Sequence, residues 1–297
     1  MKSVEKPMQS QQARQNTGQA KLNPLVILLL ALLLWLPGAV QAAFWPREDR
    51  VPGGIAIIEI PQRSESAPHV FFNDRRVYTA RHDGRWYAWV GIPLSQSPGL
   101  VAALWRTRDG DVPLAFEVNH KDYPEQRLNV EPRHVDLSPE DLARVRRETP
   151  ELRGAMDIFR PAQEQLPSEV TLPLEGRRTS PFGFRRVFND QPRNPHNGLD
   201  IAAPQGTPIV AALPGRIVAQ NHYFFNGKTV VIDHGQGMTS MYCHMHAFAD
   251  LKVGDRVEAG QVIGQIGTTG RSTGPHLHWT MSLNGARVDP DLFLPAP

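Results

Sequence analysis

The sequence predicts a mainly β protein, built from two compact strand-rich parts with a short helical connector between them. Three stretches carry that expectation. Residues 51–135 alternate short apolar runs with turn residues, residues 138–159 open on a helix-start signal, and from Val170 the chain is again rich in glycine and short apolar runs. Short apolar runs bounded by Gly, Pro, Asn and Asp read as strands and turns, because successive side chains of a strand face opposite sides.

Residues 1–42 come first. Lys2, Lys6, Arg14 and Lys21 precede an apolar run at residues 25–36. That run holds twelve residues before Pro37, short of the roughly 20 that span a bilayer. Val40-Gln41-Ala42 offers small residues for cleavage, so the segment reads as a secretory signal removed after Ala42. An uncleaved membrane anchor reaching Val40 is the competing reading. Either way the remainder is exported, to a periplasm or outside the cell. The leader carries four basic residues and Glu5, so the formal +2 of the whole chain becomes −1 without it. No block of Lys and Arg remains to bind nucleic acid. The single Cys243 excludes an intramolecular disulfide and, beside Tyr242 in an expected strand, reads as structural.

The remaining chain of roughly 255 residues favours two domains. In residues 44–135, apolar runs at 54–60, 70–72, 77–80, 86–94, 100–107, 114–118 and 128–130 predict a small antiparallel sandwich. Asp83-Gly84 and Asp109-Gly110 fit tight hairpins, since Gly tolerates positive φ. Trp86, Trp89 and Trp105 read as core residues ahead of a carbohydrate-binding platform. Residues 136–169 form the connector. There Ser138 caps a helix that starts with Pro139 and carries Glu140 and Asp141 in its first turn. Thr149-Pro150 is expected to divide it into two short helices, and Pro161 and Pro167 to end it. Residues 170–297 predict a compact antiparallel β domain with a groove.

That last part holds the chemistry. Seven of the eleven histidines fall between His196 and His278, among glycines and prolines that mark loops. A lone His is more often a core or surface side chain, but clustering shifts the balance. His276 and His278 stand two apart, so on a strand they face one side. A catalytic zinc takes three protein ligands from His, Asp or Glu and leaves one position for water. His196, Asp200 and His278 satisfy that count. His244-Met245-His246 has the same spacing as the later pair, so spacing alone leaves open which pair binds. His222 and His234 read as local structure, with Asp233-His234-Gly235 as a turn after a strand at 228–232. The helical His-Glu-x-x-His motif is absent.

Five segments occur in a fixed order: Arg178-Thr179-Ser180-Pro181-Phe182-Gly183, His196-Asn197-Gly198-Leu199-Asp200-Ile201, Tyr242-Cys243-His244-Met245, Ser272-Thr273-Gly274-Pro275-His276-Leu277-His278, and Asn284-Gly285 with Val288-Asp289-Pro290. Over roughly residues 170–295 they resemble the lysostaphin and LytM type of zinc peptidase, peptidase family M23. The resemblance implies one Zn²⁺ on His196, Asp200 and His278, with His244 and His276 as the catalytic pair; it leaves His246 unassigned, and the usual half-exposure of His makes that one a rim residue. It also implies hydrolysis of peptide bonds in bacterial cell-wall peptidoglycan, in a stem peptide or crossbridge. Taken with the leader, the resemblance favours a Gram-negative periplasm and, with it, a D,D-endopeptidase. Peptidoglycan peptides and a regulatory protein are the implied partners, with a membrane only if the signal stays attached. Cys243 and Met245 depart from the family pattern, as does Trp279-Thr280, where Phe-Glu is frequent. Some relatives have lost ligands and act as non-catalytic, peptidoglycan-binding activators of other wall hydrolases; the complete ligand set here argues for the enzyme.

Overall fold

The strands expected before residue 120 form two small antiparallel sheets in the computed structural model, which describes residues 44–63, 65–128, 137–161, 166 and 169–295. In chain order they are β1 (Ile55–Ile60), β2 (His69–Phe72), β3 (Arg75–Arg76), β4 (Tyr78–His82), β5 (Arg85–Gly91), β6 (Gly99–Thr107) and β7 (Gly110–Val118). One sheet has the order β1-β5-β4 and the other β3-β2-β6-β7. Between them lie Ile60, Val70, Phe72, Trp86, Val90, Leu114 and Phe116. Asp83 and Gly84 have φ of 47° and 76°, the double positive φ of a two-residue hairpin that matches strand twist. Trp86 and Trp89 are buried and Trp105 packs against the sandwich core, so the tryptophans fill cores and form no platform.

The strand expected at 128–130 is displaced. It is β8 (Glu125–Leu128), and it leaves the sandwich to pair in parallel with β10 (Arg185–Phe188), Gln126 lying opposite Arg186. An alternating pattern identifies a strand but carries no information about its partner. Residues 129 and 130 lie outside the described residues, as does the leader at 1–42. Among the described residues no helix is long and apolar enough to cross a membrane.

Among its described residues the connector holds a single helix where two were expected. α1 (Pro139–Met156) runs through Pro150, and Ser138 Oγ accepts from the Asp141 N–H at 3.1 Å. An interior proline costs about 3 kcal/mol or more, and tertiary contacts offset it. Met156 is buried against Ala219, Val231, Met241 and Cys243. The Tyr223 hydroxyl donates to Glu151 at 2.8 Å, and the Phe224 N–H donates to Glu148 at 2.6 Å.

The second half is built on β9 (Arg177–Ser180), β10, β11 (Gln191–Pro192), β12 (Leu199–Ala202), β13 (Pro208–Val210), β14 (Gly215–Tyr223), β15 (Gly227–Gly235), β16 (Met238–Phe248), β17 (Arg256–Val257), β18 (Val262–Ile266), β19 (His276–Leu283) and β20 (Ala286–Val288). The main sheet has the order β17-β14-β15-β16-β19-β12-β9, with β18 joining β13 to β16 and β20 beside β19. Leu199, Ile201, Tyr242, Leu277 and Trp279 belong to its core, and so do Phe44, Ile55, Tyr78 and Trp89 from the first half. Two side-chain amides seal that junction. Asn284 accepts from the Gly91 N–H at 2.7 Å and donates to its carbonyl at 3.0 Å, and Gln236 bonds the Thr79 backbone in the same two-sided way. β15 runs through His234 to Gly235, so the turn lies one step later, at Gln236-Gly237. His234 gives Nδ1–H to the Pro214 carbonyl at 2.8 Å and lies 2.8 Å from Ser240 Oγ, and burial pushes its pKa down to about 4.

Candidate metal centre

The register of β12 against β19 places Asp200 directly opposite His278, and Ala202 opposite His276. Alternation along β19 sends Leu277 and Trp279 into the core and keeps His276, His278 and Thr280 on the other side. His196 arrives from the loop before β12, where its backbone exchanges hydrogen bonds with Gly183 and Phe184 at 2.8 and 2.9 Å. Gly198, between the two, is needed for space: a Cβ there would stand 2.7 Å from His278 Cε1 and 2.5 Å from the Trp279 carbonyl oxygen.

Three atoms converge as a result. His196 Nε2 lies 3.0 Å from Asp200 Oδ1 and 3.0 Å from His278 Nδ1, and His278 Nδ1 lies 2.8 Å from Asp200 Oδ1. All three side chains are buried. Burial by itself would push the Asp200 carboxyl up, but its contacts with His196 and His278 outweigh that and hold it well below the usual carboxylate range. Burial lowers the His278 pKa and favours its neutral form. His196 gives Nδ1–H to the Pro181 carbonyl at 2.7 Å, so its Nε2 is a lone pair in the neutral ring. Two imidazole lone pairs and a carboxylate facing one point make a donor set that suits a dication. The nitrogen and oxygen ligands, three in number, fit catalytic Zn²⁺.

His244 and His276 stand beside this trio with ring centroids 4.7 Å apart. His244 reaches that place by an irregular backbone. Cys243 is the last residue of β16 paired with β19; His244 then takes φ of 62°, and its N–H donates to the Asn226 carbonyl at 2.8 Å. A left-handed residue breaks strand alternation, so His246 does not share its face and is exposed instead. His244 Nδ1–H donates to the Thr269 carbonyl at 2.8 Å, and burial, then the neighbouring His278 and His276, push its pKa down to about 3. His276 Nδ1–H donates to the Gly274 carbonyl at 2.9 Å, and its Nε2 lies 4.0 Å from Asp200 Oδ1. His222 is exposed on β14, away from these rings.

Sequence reasoning missed two neighbours of the trio. Arg186, on the strand that β8 supports, brings Nη2 within 3.6 Å of Asp200 Oδ2. Thr280 Oγ1 lies 3.1 Å from His278 Nε2. The two-residue period that joined His276 to His278 extends to Thr280 and could have found it; nothing local marks Arg186.

Comparison with known proteins agrees with this geometry. The sequence model of peptidase family M23 matches residues 194–290, and that of the peptidase family M23 N-terminal domain matches residues 48–121. The DD-carboxypeptidase/endopeptidase Mpg of Neisseria meningitidis is 42% identical over 122 residues, covering 41% of this chain and 28% of that protein. The peptidoglycan DD-endopeptidase ShyC of Vibrio cholerae is 41% identical over 121 residues, 37% of this chain and 28% of that protein. The chain therefore spans little more than a quarter of the length of these curated relatives. A crystal structure of an M23 peptidase from Pseudomonas aeruginosa superposes with a TM-score of 0.70 at 40% identity, covering 83% of this chain and 96% of that one. With the histidine and aspartate donors gathered on the matched segment and the match extending into the N-terminal strands, the chain belongs to peptidase family M23, a family of zinc metallopeptidases.

Proposed function

We propose that the chain is an exported zinc endopeptidase that cuts peptide bonds of bacterial cell-wall peptidoglycan, with D,D-endopeptidase specificity on stem peptides or crossbridges. One observation carries the reading: the three ligand atoms of His196, Asp200 and His278 meet within 3.0 Å of one another beside the His244 and His276 rings. The names of the Neisseria and Vibrio relatives support the substrate class. In this reading His196, Asp200 and His278 hold the metal. Bound zinc supplies a Lewis acid that polarises the scissile carbonyl and lowers the pKa of water towards about 7.

The protein's own groups do the rest. His244 has Nδ1–H committed to the Thr269 carbonyl, which leaves Nε2 as the ring's basic nitrogen, able to take a proton from the attacking water. His276 is less buried, with Nε2 4.0 Å from Asp200 Oδ1; as the imidazolium, in which both ring nitrogens donate, it can hydrogen-bond the negative charge that develops on the carbonyl oxygen while Nδ1–H stays on Gly274. Holding Nδ1–H on fixed carbonyls keeps both rings oriented before substrate arrives.

The test is digestion of purified sacculi by the chain beginning at Ala43, with muropeptides read by mass spectrometry. Conversion of crosslinked dimers to monomers, stopped by a chelator and restored by zinc, is the expected result. Zinc-loaded, folded protein that produces no new peptide ends overturns the reading. N-terminal sequencing tests export: a mature chain starting at Ala43 supports it, and a full-length chain in the membrane fraction favours the anchor. We also propose the division into 44–135, 136–169 and 170–297, supported by the separate apolar cluster of the sandwich and testable by limited proteolysis.

A further inference from the structure

Four histidines surround the candidate centre, and three are held in the same way. His196, His244 and His276 each give Nδ1–H to a backbone carbonyl, of Pro181, Thr269 and Gly274, at 2.7, 2.8 and 2.9 Å. Nε2 is then the unprotonated nitrogen of each neutral ring. His278 is reversed. Its Nδ1 is the atom 2.8 Å from Asp200 Oδ1 and 3.0 Å from His196 Nε2, so a metal shared by the three requires the ring proton on Nε2. Among the described residues no backbone carbonyl bonds that nitrogen; its neighbour is the Thr280 hydroxyl at 3.1 Å.

Thr280 is well placed to act on the ring. It lies on the same face of β19 two residues on, it is completely buried, and it pairs with Met241 of β16. Gly198 packs against the same ring edge, where an added Cβ would come within 2.8 Å of His278 Nε2. A carbonyl can only accept, whereas a hydroxyl can accept or donate. If Thr280 donated to Nε2, the ring proton would move to Nδ1 and occupy the metal position.

We infer that Thr280 is a positioning residue whose hydroxyl oxygen accepts the Nε2–H of His278 and fixes the one tautomer that leaves Nδ1 free to share a cation with His196 and Asp200. The inference rests on the zinc reading above. It also separates two superficially similar residues, because Ser180 Oγ lies 3.2 Å from His196 Nδ1 but that nitrogen already has the Pro181 carbonyl.

The experiment measures zinc dissociation constants by competition with a chromophoric chelator on the chain from Ala43, for wild type, Thr280→Val, Thr280→Ser and Ser180→Ala, with thermal melting of each zinc-free form. Thr280→Val keeps the shape and removes the hydroxyl, and should weaken zinc by about 10- to 100-fold. Thr280→Ser should recover most of the loss, and Ser180→Ala should cost far less than Thr280→Val. Long-range ¹H–¹⁵N spectra of the zinc-loaded wild type should show the His278 proton on Nε2, shifted downfield by its hydrogen bond to Thr280; a His278 Nε2–H without that shift, or no proton on Nε2, overturns the inference even if a variant fails to fold. Wild-type affinity in Thr280→Val, or an equal loss in Ser180→Ala, also overturns it. If wild type takes up no zinc at all, the zinc reading fails and the inference with it, whereas a zinc-binding wild type beside an equally tight Thr280→Val overturns the inference alone.

Discussion

Replacing Gly198 by alanine adds one methyl group beside the candidate metal ligand. Built on this backbone, the new Cβ stands 2.5 Å from the Trp279 carbonyl oxygen, 2.7 Å from His278 Cε1 and 2.8 Å from His278 Nε2. Heavy atoms of this kind settle about 3.5 Å or more apart, so something must retreat by roughly 0.7–1 Å. The two strands are tied by the pairs Leu199 with Trp279 and Asp200 with His278, so the imidazole gives way more easily than the ladder. Metal–ligand distances tolerate only about 0.2 Å, and the displacement is several times that. Zinc affinity should fall on the order of 100-fold or more, and the zinc-free protein should lose about 1–3 kcal/mol through overpacking. Chelator competition and urea denaturation measure the two separately. A Gly198→Ala protein that binds zinc as tightly as wild type would refute the reasoning, because it would show that the His278 ring has room to move without leaving the site.

Three further outcomes follow from the same geometry. His278→Ala should lose zinc, whereas His276→Ala should retain it and lose activity by about 10²- to 10⁴-fold; metal analysis beside a muropeptide assay checks this, and reversed metal contents, or loss of metal in His246→Ala alone, sink the assignment. His234 has its pKa lowered from 6.5 to about 4 in the fold. The unfolded chain therefore takes up the proton first, so the stability this residue contributes is fully present above pH 6.5 and is lost as pH falls towards 4, about 3 kcal/mol in all. Zinc-free wild type should lose more stability between pH 7 and 4.5 than zinc-free His234→Gln, and parallel losses contradict the prediction. Asn284→Ala strips the buried Gly91 N–H and carbonyl of their partners and should cost about 2–4 kcal/mol by urea denaturation; a loss below about 1 kcal/mol would mean that the junction relaxes around the change.

Much of this was legible because it is local. Alternation located β1, β2 and β4 to β7 but not the two-residue β3, the Ser138-Pro139 signal located the start of α1, and the segments around His196 and His278 named the residues that meet. The parts that were not legible depend on distant chain or on unusual backbone. β8 looked like a sandwich strand, but its partner is β10, some sixty residues later. Pro150 reads as a helix breaker, and only the anchoring of Glu148, Glu151 and Met156 on the sheet keeps α1 whole. His244 and His246 share a strand spacing on paper, and the positive φ of His244, stabilised by Asn226 and Thr269, separates them. The reversed His278 ring could not be read at all, since a residue name does not say which nitrogen faces a site.

The seam between the first and last described stretches bears on when the candidate metal centre is completed. Phe44 stacks on Phe293 with centroids 5.9 Å apart, the Arg47 N–H donates to the Leu292 carbonyl at 2.8 Å, and the Asp289 N–H donates to the Gly53 carbonyl at 2.8 Å. While a ribosome still holds residues 289–293, residues 44–53 lack these partners, and Asp200 waits for a neighbouring strand that has only just been made. Contacts so distant in sequence form slowly. A metal centre assembled this way cannot close until β19 has paired with β12, so its three candidate ligands come together only after the residues of β19 have been made and folded.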